Sequence, residues 1–288
     1  MIQSILVPFG GGASDAAVFE SAIMIGRRLG AHLDFYHVNI SAAEAAGSMP
    51  HADFAIGAAL RQILADMRVQ MEDRAVKARW HFDASCLSGN IPLIDTPGSF
   101  AGLSAAWIED RNHAIDHMVA RSRCRDLTIA ARPRHGDRLP RDLLEFLVTG
   151  SGRPLLVLPD DLPLPPPETV MVCWNDTPEC ARAIAAALPF LKAAKRVVVV
   201  TVQETLHAGS GFSDVLRQLA WHGIAPEAIS LSDKPDAVAG IISATAARID
   251  ADLVVMGAYG HTRTREFLFG GVTQAALSAS PRGILLAH

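Results

Sequence analysis

The sequence contains two copies of one strand-and-helix unit, and this duplication constrains the fold more than any other feature. Residues 4–38 align with residues 169–202, and each segment reads as an apolar strand, a polar turn, an Ala-rich helix and a second strand. Residues 125–158 align with residues 251–286, and each reads as strand, loop, helix and final strand. A chain of 288 residues is long enough for two domains of ordinary size.

A proline-rich stretch, "PDDLPLPPP" at 159–167, separates the two copies. Proline-rich segments are semi-rigid spacers between domains. The sequence therefore predicts a first domain over residues 1–159, a linker over 160–167 and a second domain over 168–288.

The predicted strands are continuous apolar runs such as "VVVV" and "LVVM" rather than alternating ones. Such runs are typical of strands buried on both faces of a parallel sheet. Strands that alternate with helices predict an α/β fold of two doubly wound domains. Ligands of such sheets bind beyond the carboxyl ends of the strands, where the strand order switches. We therefore expect the loops 173–178 and 257–271 to flank one crevice.

Composition excludes several classes of protein. The net charge of −4 argues against nucleic acid as the main partner, because a basic face is the usual footprint of nucleic-acid binding. The four cysteines form no CxxC pair and suggest no disulfide framework. The N-terminus does not resemble a signal peptide, and no run of 18 apolar residues suggests a membrane span. We expect a soluble protein of the cytoplasm.

The segment "LVVMGAYGHTRTREFLFGGVTQAAL" (253–277) leaves a buried strand through a loop with glycines at Gly257, Gly260 and Gly270. Glycines let backbone N–H groups approach a ligand closely, and a following helix N-terminus favours an anion. The alternative is a tight turn that needs glycine only for its backbone angles.

This pattern resembles the universal stress protein family in its tandem form. The nucleotide-binding members carry G-x2-G-x9-G-(S/T) after the fourth strand, and Gly257, Gly260 and Gly270 reproduce both spacings. The resemblance implies that each domain has a five-stranded parallel sheet of order 3-2-1-4-5. It also implies that ATP or another adenine nucleotide, with or without Mg²⁺, lies across strands 1 and 4 of the second domain.

The resemblance also assigns roles to individual positions. Asn175 takes the acidic or amide position after strand 1, and the backbone of Val202 takes the position that reads adenine. The glycines would expose N–H groups to phosphates. Independently of the resemblance, His261, Arg263 and Arg265 lie between the second and third glycines and either screen phosphate charge or point to solvent. The full candidate nucleotide site is Cys173, Trp174, Asn175, Val202, Met256, Gly257, Gly260, His261, Gly270, Gly271, Val272 and Thr273. Trp174 is either a core residue or part of the crevice wall, and Cys173 and Cys180 are small buried residues rather than redox switches.

One position departs from the family pattern. Gly271 stands where a Ser or Thr hydroxyl is expected, and Thr273 could supply a hydroxyl in its place. A hydrogen bond to a charged acceptor contributes about 1.5–3 kcal/mol, so the affinity for ATP should be reduced.

The first copy departs further. Its strand-1 turn is Gly10–Gly12, and Arg132, Pro133 and Arg134 replace the glycine loop. Proline removes a donor and fixes φ, so this loop cannot hold phosphates in the family manner, and we expect no nucleotide in the first domain. The turn is also similar to the SGGxDS loop of ATP pyrophosphatases, but Ser14-Asp15 more simply begins a helix.

Two further clusters have competing interpretations. His113 and His117 lie one helical turn apart and either bind a metal with Cys124 or form a surface. The loop residues Arg132, Arg134, His135, Arg138 and Arg141 form either an anion site or a solvated loop paired with nearby carboxylates.

Three functional classes remain open. The first is a stress-response regulatory module that binds an adenine nucleotide with slow or no turnover, the second is a nucleotide-free scaffold, and the third is a weak ATPase. The apolar fifth strands "PLLVLP" and "GILLAH" are edges that need cover, which predicts an intramolecular pseudo-dimer of the two domains. A homodimer of whole chains is also open.

Overall fold

The computed structural model describes residues 1–12, 14–38, 58–98, 102–110, 114–133, 139–160, 163–203, 210–232, 237–259 and 271–288. Strands and helices alternate along both copies of the repeat. In the first copy the elements are β1 Ser4–Phe9, α1 Asp15–Leu29, β2 His32–Val38, α2 Ala58–Ser88, β3 Ser104–Asp110, α3 Ala114–Arg123, β4 Leu127–Ala130, α4 Leu143–Ser151 and β5 Leu155–Val157. In the second copy they are β6 Thr169–Cys173, α5 Pro178–Ala193, β7 Arg196–Gln203, α6 Ser210–Trp221, β8 Glu227–Ser232, α7 Val238–Arg248, β9 Leu253–Gly257, α8 Gly271–Ser278 and β10 Gly283–Ala287.

The described strands form one sheet, in the order β3-β2-β1-β4-β5-β10-β9-β6-β7-β8. The α/β fold class is therefore confirmed. Neighbouring strands within each half are parallel, and the order within each half corresponds to 3-2-1-4-5.

The two five-stranded halves are joined edge to edge rather than remaining separate sheets. β5 and β10 pair antiparallel, with Leu156 opposite Leu285 at the centre. Both strands are fully buried. An unpaired apolar edge would expose a row of backbone N–H and C=O groups, so each fifth strand covers the other.

Packing above and below the sheet crosses the same junction. Leu144, Leu147 and Val148 of α4 share one hydrophobic cluster with Met256 and Leu286 of the second half. Leu164 of the proline-rich stretch is buried against Gly283, and its N–H donates to the Ser21 hydroxyl at 2.8 Å. The segment between the halves is therefore anchored in the core at this point.

The same hydrogen-bonding arrangement occurs in both halves: one aspartate accepts from two backbone N–H groups. One carboxylate oxygen of Asp126 accepts from the N–H groups of Gln3 and Ser4 at 2.9 and 3.0 Å. One oxygen of Asp252 accepts from the N–H groups of Glu168 and Thr169, both at 2.8 Å. Each aspartate, placed just before strand 4 of its half, thus fixes the start of strand 1.

We expect Asp126→Asn to change how stability depends on pH. Burial raises the pKa of Asp126, but the hydrogen bonds from Gln3 and Ser4 outweigh burial and leave the pKa below its usual value. A lowered folded-state pKa stabilises the fold above the unfolded pKa of about 3.9, and this stabilisation is lost as the pH falls through the folded pKa. Urea unfolding at pH 6 and pH 3 should show a wild-type advantage that shrinks at pH 3. An equal advantage at both pH values would contradict this assignment.

Candidate functional site

The crevice of the second half lies where β6 and β9, which are neighbours in the sheet, reach their carboxyl ends. Cys173 and Gly257 are the last residues of these strands, and helices α5 and α8 begin beyond them. Trp174 and Asn175 follow β6 directly, and Met256 is the next-to-last residue of β9. The structure therefore brings these predicted residues to one edge of the sheet. Gly260, His261 and Gly270 lie outside the described residues.

Asn175 organises the turn that enters α5. Its side-chain oxygen accepts from the Thr177 hydroxyl at 2.9 Å and from the Cys180 thiol at 2.8 Å. Thr177 is the N-cap, its hydroxyl accepts from the Cys180 N–H at 3.4 Å, and Pro178 begins the helix. These bonds hold the exposed Asn175 amide oxygen inward, so its NH₂ group is the part that can meet a ligand.

Asp176 is a second polar residue of this turn, and the sequence analysis did not select it. Its backbone is left-handed, with φ of 57°. Its carboxylate lies against Gly211 in the first turn of α6, because a Cβ built on Gly211 would be 2.7 Å from the carboxylate oxygen. A carboxylate at a helix N-terminus is favoured by the helix dipole. No local pattern could have revealed this contact, since the two residues are distant in sequence.

Gly257 has a packing role that neither interpretation of the glycine loop anticipated. A Cβ on this residue would lie 2.6 Å from the Cys180 backbone nitrogen and 2.8 Å from the Glu179 carbonyl carbon. Contacts this short require the backbone to move. Gly257 is also not among the glycines with positive φ. Its lack of a side chain lets the first turn of α5 pack directly on the end of β9.

The start of α8 provides space and one engaged hydroxyl. A Cβ on Gly271 would meet none of the described residues within 4 Å, so a serine fits against that part of the chain. Thr273 is buried, and its hydroxyl lies 3.4 Å from the N–H of Tyr259, which has a left-handed backbone with φ of 60°. The hydroxyl that was expected to compensate for Gly271 thus accepts from the Tyr259 N–H and keeps its own O–H as a donor.

Several predicted site residues place their side chains in the core, which is compatible with the backbone role predicted for Val202. Met256 is buried, and Val272 packs on the cluster that contains it. Val202 packs on another cluster at the carboxyl end of β7, opposite Leu231 of β8. Trp174 packs on the cluster beneath α5, and its indole N–H is buried without an acceptor among the described residues.

Of the two cysteines of the site, Cys180 is buried and Cys173 is half-buried. Burial raises the pKa of the Cys173 thiol to about 12. The Cys180 side chain points its sulfur to Asn175 and to the Cys173 carbonyl oxygen. A thiol with a raised pKa is a poor nucleophile, in agreement with the structural role that was expected.

The corresponding crevice of the first half is filled by protein. Phe9, which aligns with Trp174, is fully buried and contacts the rings of Phe19, His37 and Trp107 at 5.0–5.4 Å between centroids. Helix α2 covers the glycine turn, and a Cβ on Gly11 would lie 3.1 Å from the Arg74 Cβ and 3.3 Å from its carbonyl oxygen. Gly11 also has a φ of 76°. The turn therefore needs glycine to fit under α2, and α1 begins just after it at Asp15.

Arg132 contradicts the interpretation of a solvated arginine loop. Only 7% of this residue is exposed. Its guanidinium donates to the Ala276 and Leu277 carbonyls at the end of α8, at 2.6 and 3.1 Å, and to the Leu158 carbonyl at 2.8 Å. It also pairs with Asp160 at 3.2 Å. Arg132 thus caps a helix of the other half, while Arg134, His135 and Arg138 lie outside the described residues and Arg141 is exposed.

Of the predicted histidine pair, the structure describes His117, which lies beside a carboxylate. The His117 Nδ1 lies 3.0 Å from an Asp110 carboxylate oxygen, which also pairs with Arg121 at 3.5 Å. Among the described residues, no three His, Cys, Asp or Glu side chains are grouped to bind a metal ion. His113 lies outside them.

A duplicated, doubly wound α/β sheet with a switch-point crevice at the strand ends of each half defines the class of this protein. Residues 215–288 match the model of the universal stress protein family. The C-terminal part of the chain is therefore a universal stress protein domain, and the resemblance inferred from the glycine spacing is confirmed.

Solved structures extend the fold assignment to the whole chain. A universal stress protein from Archaeoglobus fulgidus DSM 4304 is 14% identical, with a TM-score of 0.67 over 99% of this chain and 95% of its own. A second solved structure, described as a universal stress protein, comes from Pseudomonas aeruginosa UCBPP-PA14. It is 15% identical, with a TM-score of 0.55 over 99% of this chain and 93% of its own. At these identities the likeness shows the tandem fold alone.

The remaining comparisons add little. A universal stress protein solved in complex with cAMP is 17% identical, with a TM-score of 0.32 over 42% of this chain and 97% of its own, a likeness too weak to support inference. No curated protein matched the sequence. In the part of the chain that the structure describes, every helix is too short or too polar to span a bilayer.

Proposed function

We propose that this protein is a regulatory module of the stress response that binds one adenine nucleotide, such as ATP, in the crevice of its second half. The observation that carries the proposal is the asymmetry between two crevices built from the same repeat. In the first half, aromatic rings and α2 occupy the space beyond the strand ends. In the second half, Asn175 and Asp176 are exposed at the same position, and no described residue lies within 4 Å of a Cβ built on Gly271.

The described residues suggest how each part of a nucleotide would be held. The Asn175 NH₂ group can donate to an acceptor on adenine or ribose, because the amide oxygen is held by Thr177 and Cys180. The phosphates would lie at the start of α8, where backbone N–H groups favour an anion. Arg132 at the opposite end of α8 places positive charge where the helix dipole is negative, so both ends would be stabilised.

Turnover in this crevice would be slow or absent. An efficient ATPase needs groups that bind Mg²⁺ and position the attacking water. The segment 253–277 contains no lysine, and its one carboxylate is Glu266.

A scaffold that has lost nucleotide binding is the second candidate. The packing of Gly257 on α5 explains why this position is a glycine even if no ligand binds.

Binding of Mg-ATP to Gly271→Ser tests the proposal. The added hydroxyl has room, and one hydrogen bond to a charged phosphate should lower the dissociation constant about tenfold to a hundredfold. Titration calorimetry should give one site per chain for the wild type and the variant. Gly240→Ser is the matched control, because it makes the same change at an exposed glycine of α7 with nothing within 4 Å.

The result separates the candidates. Two sites per chain would refute the asymmetry between the crevices. If neither protein binds Mg-ATP at millimolar concentration, the scaffold replaces the nucleotide module. If Gly271→Ser binds no more tightly than Gly240→Ser, the phosphates do not lie at the start of α8.

A further inference from the structure

Helix α2 presents a line of apolar side chains to solvent. Val69, Val76, Trp80 and Leu87 are 66%, 68%, 65% and 85% exposed. The last three follow Val69 by seven, eleven and eighteen residues, which places all four within about 20° of one line along an α-helix. The core-facing residues Ala78, Phe82 and Cys86 lie on the other side of the helix. The exposed line is therefore a second apolar face, which we call the α2 stripe.

The stripe is self-complementary about its own centre. Consider a twofold axis that is perpendicular to α2 and passes the stripe at the height of residue 78. This axis places Val76 opposite Trp80 of a second copy, and Val69 opposite Leu87 of that copy. Each larger side chain thus meets a smaller β-branched one at both symmetry-related positions. This is the requirement of an isologous interface, in which residue i contacts residue j and residue j contacts residue i.

The charges beside the stripe favour a like partner over a strongly charged one. Asp73 pairs with Lys77 on one flank at 2.6 Å, and Arg79 pairs with Asp83 on the other at 3.0 Å. Each pair is neutral within its own helix, so Lys77 and Arg79, which the twofold axis brings beside their own copies, each carry a compensating aspartate. A surface that binds anionic lipid or nucleic acid would instead carry an excess of Lys and Arg.

The area of the stripe agrees with a weak, reversible dimer. At these exposures the four side chains present roughly 500 Å² per copy, so a pair buries at most about 1,000 Å², which is near the lower limit for a specific interface. An apolar line of this size with a polar rim is typical of interaction surfaces. We propose that two chains associate through antiparallel packing of their α2 stripes, independently of any nucleotide.

Sedimentation velocity at protein concentrations from about 1 to 500 µM, roughly the range of weak interfaces, tests the proposal. The wild type should associate to a dimer in the micromolar range, and Trp80→Glu should raise the dimer dissociation constant about 30-fold or more, since a central Trp commonly dominates such interfaces. Trp221→Glu is the matched control, because Trp221 is 81% exposed on α6 and lies outside the stripe. Circular dichroism confirms that each variant is folded.

A pair of exchanges tests the antiparallel register. Trp80→Val alone leaves Val opposite Val and should weaken association, whereas Val76→Trp combined with Trp80→Val recreates both Val–Trp contacts and should restore it. A wild type that stays monomeric at about 500 µM overturns the proposal. A wild type that stays monomeric but binds lipid vesicles overturns it equally, because the stripe would then be a membrane-binding surface. Trp80→Glu that dimerises like the wild type, or a double exchange that fails to restore association, also overturns it.

Discussion

Arg132→Met is expected to lower the free energy of unfolding by about 3–5 kcal/mol. The guanidinium is buried and donates to three carbonyls, two of them at the end of α8 in the other half of the chain. Methionine fills much of the same volume but donates nothing. The carbonyls would then lose their donors, and Asp160 would lose its ion-pair partner.

Asp160 extends the same network, which makes the loss larger than one hydrogen bond. Its second carboxylate oxygen accepts from the Ser280 N–H at 2.9 Å, directly after α8. Without Arg132, the two sequence segments that meet here lose every hydrogen bond from the guanidinium and keep the bond between Asp160 and Ser280. We therefore expect the junction beside β5 and β10 to loosen before the rest of the fold.

Denaturant unfolding of Arg132→Met and of Arg182→Met measures the effect. Arg182 is a matched control because it forms a single ion pair with Glu179 on the surface, at 52% side-chain exposure, and its loss should cost less than about 1 kcal/mol. Hydrogen exchange of residues 271–278 should speed up in Arg132→Met only. If both variants lose the same small amount of stability, Arg132 does not hold the halves together.

Gly257→Ala is expected to destabilise the protein by about 1–3 kcal/mol and to weaken nucleotide binding together with it. The new methyl group would overlap the backbone of Glu179 and Cys180 rather than a movable side chain. Relief requires the first turn of α5 to shift away from β9. The Cys180 thiol that bonds to Asn175 lies in this turn, so the side chain proposed to meet the nucleotide would shift too.

Gly271→Ala provides the comparison, because it adds the same methyl group to the same glycine segment in open space. It should leave stability unchanged or raise it by up to about 1 kcal/mol, since alanine restricts the unfolded chain. Thermal unfolding and Mg-ATP titration of both variants separate packing from ligand contact. Equal stability of the two would show that α5 has room to adapt, and the packing role of Gly257 would be wrong.

The amino-acid sequence determined the duplicated α/β fold, since this follows from patterns within short segments. Apolar runs such as 197–200 predicted buried parallel strands, and the apolar fifth strands indicated edges that need cover. The glycine spacing after β9 indicated the family, and Pro133 indicated that the first loop could not hold phosphates. In each case the information lies in neighbouring residues, where backbone preference and side-chain periodicity act directly.

Only the tertiary structure decided which residues serve packing and which remain accessible. Arg132 looked like one of several loop arginines, yet its partner Leu277 is 145 residues away. Gly257 matched a ligand motif, but its nearest neighbours are backbone atoms of α5. Gly11 and Asp176 likewise owe their roles to helices α2 and α6, which reach them through the fold. Contacts of this kind depend on how segments that are distant in sequence pack against each other. They therefore cannot be read from composition or from the spacing of neighbouring residues.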